Sequence, residues 1–242
     1  LMDNYLDILY SVFIEKEQYM LIIHGLIFTL EVTLTAAIIG VILGVLLTLM
    51  TITDIKPFRH IKNRRLQFLK NFNPVQKLAR LYITVIRGTP TVVQLLILYN
   101  LVFIGSFAAP VFVVASLAFG LNSAAYVAEI IRAGIQGLDK GQMEAARALG
   151  MSYKQSMKVI IIPQAFKKIL PALVSEFIVL LKETSIVGMI SGMDLTAATR
   201  TIANNSYRAV EPWIAVALIY LILTSIFTYF MHKVEMRLKE SD

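Results

Sequence analysis

Residues 32–53 read VTLTAAIIGVILGVLLTLMTIT, an unbroken run without a single charge. Crossing the hydrocarbon of a bilayer takes roughly 20 apolar residues, whereas a core helix of a soluble domain needs about a dozen. The run therefore reads as membrane-spanning, and with residues 21–30 around Glu31 it gives a first span at about 23–51. Gly25, Gly40 and Gly44 recur along it and suggest a small-residue face on which a second helix packs closely.

Working outward, the next charge-free stretch covers residues 88–128, too long for one helix, and residues 105–110 offer a natural break. It reads as two spans, about 76–104 and 110–131. A fourth, about 167–191, carries Glu176, Lys182 and Glu183, and a fifth lies at about 212–232. The expected fold is an all-α bundle of five transmembrane helices in a single domain, residues 1–242. Composition agrees: 57% of the residues are hydrophobic and only 16% charged, with a mean hydropathy of +0.70, outside the range of ordinary soluble domains.

The net charge of +7 does not mark a nucleic-acid partner, because the basic residues sit in connections between apolar runs. Lys56, Arg59, Lys62, Arg64, Arg65, Lys70 and Lys77 occupy the first. Lys140, Arg147, Lys154, Lys158, Lys167 and Lys168 occupy the third, and Lys233, Arg237 and Lys239 follow the last span. Short basic loops stay in the cytoplasm, so the N-terminus is expected outside and the C-terminus inside, with membrane lipid as the surrounding partner. The acidic start (Asp3, Asp7, Glu15, Glu17) is unlike a cleaved signal peptide. There is no cysteine, hence no thiolate metal site or disulfide framework; the three histidines are scattered, no metal is expected, and no Walker-type phosphate loop occurs.

The third connection, residues 137–171, reads GLDKGQMEAARALGMSYKQSMKVIIIPQAFKKILP. A short helix is expected in it, started by Asp139 or Gly141 and ended by Gly150. Ala145, Ala146 and Ala148 leave its surface nearly bare, which suits docking of a partner more than core building. The run Glu144-Ala145-Ala146, then Gly150, Ile160 and Ile162-Pro163 resembles the signature of inner-membrane permeases of ATP-binding-cassette importers, with Ile162 in place of the usual Leu. Arg87-Gly88-Thr89-Pro90 with Gln94, the segment from Leu121 to Gly134, and Leu181-Lys182-Glu183-Thr184-Ser185 are similar to the polar amino-acid branch of that family, although Glu183 more often is Asp there.

The resemblance implies a bacterial cytoplasmic (inner) membrane location and a transport subunit that is not itself an enzyme. It implies no cofactor in this chain, ATP and Mg being bound by partner ATPase subunits, a second permease chain, homo- or heterodimeric, and an extracytoplasmic solute-binding protein. It implies import of polar or basic amino acids by alternating access, with Glu144, Ala145, Ala146, Leu149 and Gly150 coupling the ATPase to the spans. Ionisable groups inside spans mark functional sites, and the guanidinium of Arg87 suits a carboxylate. The candidate substrate residues are Arg87, Thr89, Gln94, Asn100, Asn122, Tyr126, Glu129, Glu183, Thr184 and Ser185. Competing roles are structural: Arg87 or Lys182 pairing with Glu129, Glu176 or Glu183, and Arg132 pairing with Glu129 one turn away. The rival classes are a permease of the same kind for another small solute, a membrane-embedded enzyme using Glu129 or Glu183 as acid or base, and a passive channel or scaffold.

Overall fold

The computed structural model describes residues 2–52, 72–102 and 109–239, which are predominantly helical with no strand among them. The basic cluster from Lys56 to Lys70 and most of the break at 105–110 lie outside the described residues. Ten helices follow in order: α1 Met2–Phe13, α2 Tyr19–Ile52, α3 Pro74–Arg87, α4 Thr91–Ile97, α5 Val111–Gln136, α6 Lys140–Ala148, α7 Tyr153–Ser156, α8 Ile162–Glu183, α9 Leu195–Ser206 and α10 Val210–Lys239. A π-turn extends α4 over Leu98–Val102, another joins α7 to α8 over Met157–Ile161, and a 3-10 turn follows α8 over Thr184–Ile190.

Among the described residues three helices are long and apolar enough to cross a bilayer: Tyr19–Ile52, Val111–Gln136 and Val210–Arg237. A fourth crossing arises if α3 and the stretch from Thr91 to Leu101 count as one broken span. The sequence led us to expect one span over about 76–104 with its helix disturbed at Gly88 and Pro90, and α3 stops at Arg87 while α4 begins at Thr91. The reason is local: Pro90 has no N–H to donate and disfavours helix in the residue before it. The expected span at 167–191 corresponds to α8 and its 3-10 turn, where Lys167, Lys168, Glu176, Lys182 and Glu183 dilute the apolar character. The helix α1 was not foreseen; the acidic residues at the chain's start hid its apolar face, on which Val12 is buried.

The chain divides into two compact units, and α2, α5 and α8 each pass from one to the other. The first comprises residues 1–38, 91–120 and 174–242. Its core gathers Val32 and Ala36 of α2, Leu95 of α4, Val114, Ala115, Ala118 and Phe119 of α5, and Leu180, Val187 and Ile190 from α8 and the turn after it. Gly25 lies where a Cβ would meet the Asp194 carbonyl oxygen at 2.9 Å and Ala198 Cβ at 3.0 Å, so α9 approaches the backbone of α2. The buried Asp194 caps α9, accepting from Ala197 N–H at 2.7 Å and from Gly188 N–H at 2.8 Å. Burial pushes its carboxyl above the usual range, and these donated N–H groups pull it part of the way back.

The second unit comprises residues 39–90 and 121–173. Gly40 and Gly44 face α5: a Cβ at Gly40 would come within 2.9 Å of Ser123, and one at Gly44 within 2.5 Å of Val127. Between apolar helices the gain comes from close van der Waals contact and occasional hydrogen bonds. Thr48 Oγ1 donates to Gly44 O at 2.8 Å with Ala128 O at 3.2 Å, and Tyr82 Oη of α3 donates to Leu121 O at 2.7 Å. The glycine face read from the sequence is thus a packing face in each unit.

Candidate functional site

Two features of the second unit concentrate the residues picked out above. The first is a cavity of about 640 Å³ lined by Thr51 and Ile52 of α2, by Arg80, Ile83, Thr84 and Arg87 of α3 with Gly88, and by Glu129, Arg132 and Gln136 of α5. Asn73 starts α3 by accepting from Gln76 N–H at 3.0 Å, and Pro74 follows at its first position. Gln76 Nε2 donates to Thr51 O at 2.6 Å, satisfying a carbonyl at the end of α2. Arg80, Thr84 and Arg87 then fall on one face of α3 and Glu129, Arg132 and Gln136 on one face of α5, at spacings of three and four.

Arg132 grips Glu129 bidentately: Nε donates to Oε2 at 2.9 Å and Nη2 to Oε1, while Nη1 donates to Gln136 Oε1. Arg87 Nη1 stands 3.7 Å from Glu129 Oε1, and its guanidinium lies over the Tyr126 ring, 5.3 Å from the centroid. The cavity wall therefore carries three cations and one carboxylate, already claimed by Arg132. Arg87, held by a long ion pair and a ring face, keeps part of its donor fork open to the cavity. An anionic group entering there meets a field with two positive charges in excess.

Of the sequence candidates, Arg87, Tyr126 and Glu129 are brought together here. Thr89 is exposed, its hydroxyl donating to Val85 O at 2.9 Å. Asn122 is buried on α5. The remaining four positions and Gln94 belong to the first unit. There Glu183 Oε2 accepts a long bond from Thr91 Oγ1 at 3.4 Å; Thr184 is fully buried, donating to Leu181 O at 2.8 Å with Thr33 Oγ1 3.4 Å away; and Ser185 is half-buried. Gln94 is half-buried on α4, while the exposed Asn100 donates back to Leu96 O at 2.8 Å within its own turn. Lys182 is exposed, and so is Glu31. The sequence reading passed over Arg80, Thr84 and Gln136; their spacings of four and seven from Arg80 and of seven from Glu129 were the signal that could have found them.

The second feature is α6. Asp139 accepts from Gly141 N–H at 2.9 Å to start it, and Gly150, at φ +86°, ends it in the left-handed region that only glycine enters freely. Arg147 Nη1 donates to Met151 O at 2.8 Å beyond the end, and Gln164 Nε2 of α8 donates to Gln142 Oε1 at 3.2 Å. Lys168 Nζ donates to Gly137 O at 2.9 Å, tying α8 to the turn after α5. Only Ala146 of this helix is buried; Glu144, Ala145 and Ala148 are exposed, and Leu149 is 84% exposed. A helix capped at its start and tied to α8 thus shows a short apolar and acidic surface with no partner among the described residues.

Residues 68–240 match the model of the binding-protein-dependent transport system inner membrane component family. The chain belongs to this family. It is a permease component of the inner membrane, a transport subunit, and the helices that qualify as spans agree. It is 42% identical over 222 residues to the arginine transport system permease protein ArtQ of Bacillus subtilis, covering 91% of this chain and 94% of the relative. It is 37% identical over 225 residues to the putative glutamine transport system permease protein GlnP of Rickettsia bellii, covering 90% and 92%. A solved amino acid ABC transporter, crystallised with histidines, superposes with a TM-score of 0.81 at 44% identity, covering 93% of this permease and 98% of that chain.

Proposed function

We propose that this permease imports polar amino acids, as a pair with itself or a close homologue, driven by separate ATPase subunits and supplied by an extracytoplasmic solute-binding protein. The observation that carries the reading is α6, capped at both ends and turned outward on Glu144, Ala145, Ala148 and Leu149, in the segment whose sequence resembles the coupling signature. In this reading ATP binding draws the ATPases together, the two α6 helices follow, and the pathway alternates between two packed states. Five spans with the N-terminus outside, α8 with its following turn being the fourth, would put α6, α7 and the basic C-terminus on the cytoplasmic side.

The cavity sets the cargo. Arg87 receives the α-carboxylate, with Tyr126 holding the guanidinium flat, and Glu129 faces the ammonium while Arg132 fixes its orientation. A single acid among three arginines gives little reason to prefer a cationic side chain, so this cavity favours polar over basic amino acids. The relatives named above differ in the amino acid their names carry, arginine and glutamine, consistent with side-chain selection outside the α-carboxylate contact.

Uptake of labelled amino acids into proteoliposomes holding the permease with its ATPase and binding protein tests this. ATP-dependent uptake of one amino-acid class is expected, impaired by Glu144→Ala through coupling and by Arg87→Ala through the cavity. Uptake that needs no ATP would refute the importer reading; ATP-driven uptake indifferent to Arg87→Ala would remove the cavity from it.

A further inference from the structure

Two stripes of exposed side chains run along the first unit. On α2, Ile23, Ile27, Glu31, Leu34 and Ile38 recur at spacings of three and four, and on α8 Ser175, Val179 and Lys182 do the same. Each stripe is apolar or small except for one charge. Glu31 interrupts the aliphatic run of α2, and Lys182 stands beyond Val179 in the last turn of α8. Among the described residues neither side chain makes a hydrogen bond or an ion pair, whereas Arg132 and Arg208 each hold an acid of their own helix or turn.

Ionisable side chains within spans are rare because hydrocarbon is a costly place to leave them, and they find an opposite charge or a wet cavity. Glu31 and Lys182 are not among the residues lining the Arg87 cavity. A lysine stem carries its ammonium some way towards the headgroups, but Glu31, about 18 Å along α2 from Tyr19, has no such reach. The two charges also share a level. Thr33 Oγ1 of α2 and Thr184 Oγ1, just past the end of α8, lie 3.4 Å apart. Glu31 and Lys182 each stand two residues from that contact, about 3 Å along the helix, so their depths differ by no more than about 6 Å. A twofold axis along the membrane normal carries one copy of a chain onto another without changing depth, so only groups on one level can meet across it.

We propose that Glu31 of one permease meets Lys182 of a second copy, and Lys182 of the first meets Glu31 of the second, so that the α2 and α8 stripes form the interface of a homodimer. The proposal rests on the pairing reading above and selects a second copy of this chain over a homologue. Opposite charges on one level, set among Ile27, Leu34 and Val179, are complementary to themselves under a twofold rotation, as an isologous interface requires. Each charge gains across the interface the partner it lacks within its own chain, and the flanking aliphatic side chains keep the pair out of lipid and water alike.

The chain has no cysteine, so two differently tagged copies, one bearing Glu31→Cys and the other Lys182→Cys, test the contact when co-expressed with the ATPase and treated in the membrane with bismaleimidoethane, whose span suits a Lys–Glu pair. A cross-link joining the two tags is expected, with at most a trace from Ile23→Cys paired with Lys182→Cys, since Ile23 lies about 15 Å along α2 from the shared level. Glu31→Lys and Lys182→Glu alone should each cut recovery of the two-tag pair roughly tenfold or more, and the chain bearing both reversals should restore it. Wild-type tags that co-purify while the Glu31→Cys and Lys182→Cys copies give no cross-link, or a double reversal that restores nothing, overturn the contact and leave the homodimer standing. A cross-link formed only when both cysteines stand on one chain also overturns it, giving the two charges to each other within a subunit. Wild-type tags that never co-purify overturn it together with self-pairing, while ATP-driven uptake with a co-expressed homologue would keep the importer reading.

Discussion

The Arg87 cavity and α6 belong to the same unit and use charge in opposite ways. In the cavity, Glu129 is engaged by Arg132 and approached by Arg87 at longer range, so the acid is committed within the wall while part of the Arg87 fork stays open to a newcomer. On α6 the internal bonds are spent on the caps and on the tie to α8, and the exposed face keeps Glu144 and Leu149 for something outside the chain. A site for a small charged molecule needs preorganised partners in a partly dry wall; a site for a protein needs a stiff, accessible surface with an apolar anchor. The contrast predicts that α6 variants lose function without losing stability, whereas cavity variants lose some of both.

Leu149→Arg should have the largest effect. It places a charge where the account seats an apolar anchor, and ATP-driven uptake should fall on the order of 100-fold, the scale of losing an interface hot spot, with an unchanged thermal midpoint by scanning fluorimetry. A lowered midpoint would make Leu149 part of the chain's own packing and erase the contrast. Glu129→Gln comes next. It leaves Arg87 and Arg132 facing each other without their acid, and because the pair is partly exposed the expected loss is about 1–2 kcal/mol, read as a lower midpoint together with slower uptake. If Glu129→Gln changes uptake alone, Glu129 serves cargo and not the bundle.

Gly150→Ala sharpens the other side. At φ +86° a Cβ is strained, about 1 kcal/mol, and the end of α6 should fray, lowering coupling a few-fold while substrate binding stays intact by dialysis. The smallest effect belongs to Asn100→Ala. Among the described residues its amide serves Leu96 O in its own turn, in the first unit and outside the cavity lining, so uptake should stay within about twofold and stability within about 0.5 kcal/mol. A marked loss of uptake would restore Asn100 to the substrate path.

The sequence carried the all-α, membrane-spanning character because charge-free runs as long as residues 32–53 have no other common use. It carried α6 almost to the residue, since Asp139 and Gly150 are strong local start and stop signals whose geometry does not depend on the rest of the chain. It carried the Arg132–Glu129 pair as one of several options, because residues three apart on a helix meet whatever surrounds them. Legibility failed where tertiary context decides. Gly88 and Pro90 marked a disturbance after Arg87, but not the 107° bend between α3 and the stretch from Thr91 to Leu101. Arg80 and Gln136 were invisible because two helices must come together before their faces define a cavity.

The central claim, that the exposed face of α6 seats against a partner ATPase, has one direct test. The chain contains no cysteine, so Leu149→Cys introduces a unique thiol that takes benzophenone maleimide, and photolysis of the reconstituted complex then records what lies against it. The account predicts a cross-link to the ATPase subunit whose yield changes when ATP is added, with none from Asn100→Cys labelled the same way. Efficient labelling of Leu149→Cys with no cross-link to the ATPase in either nucleotide state would contradict it.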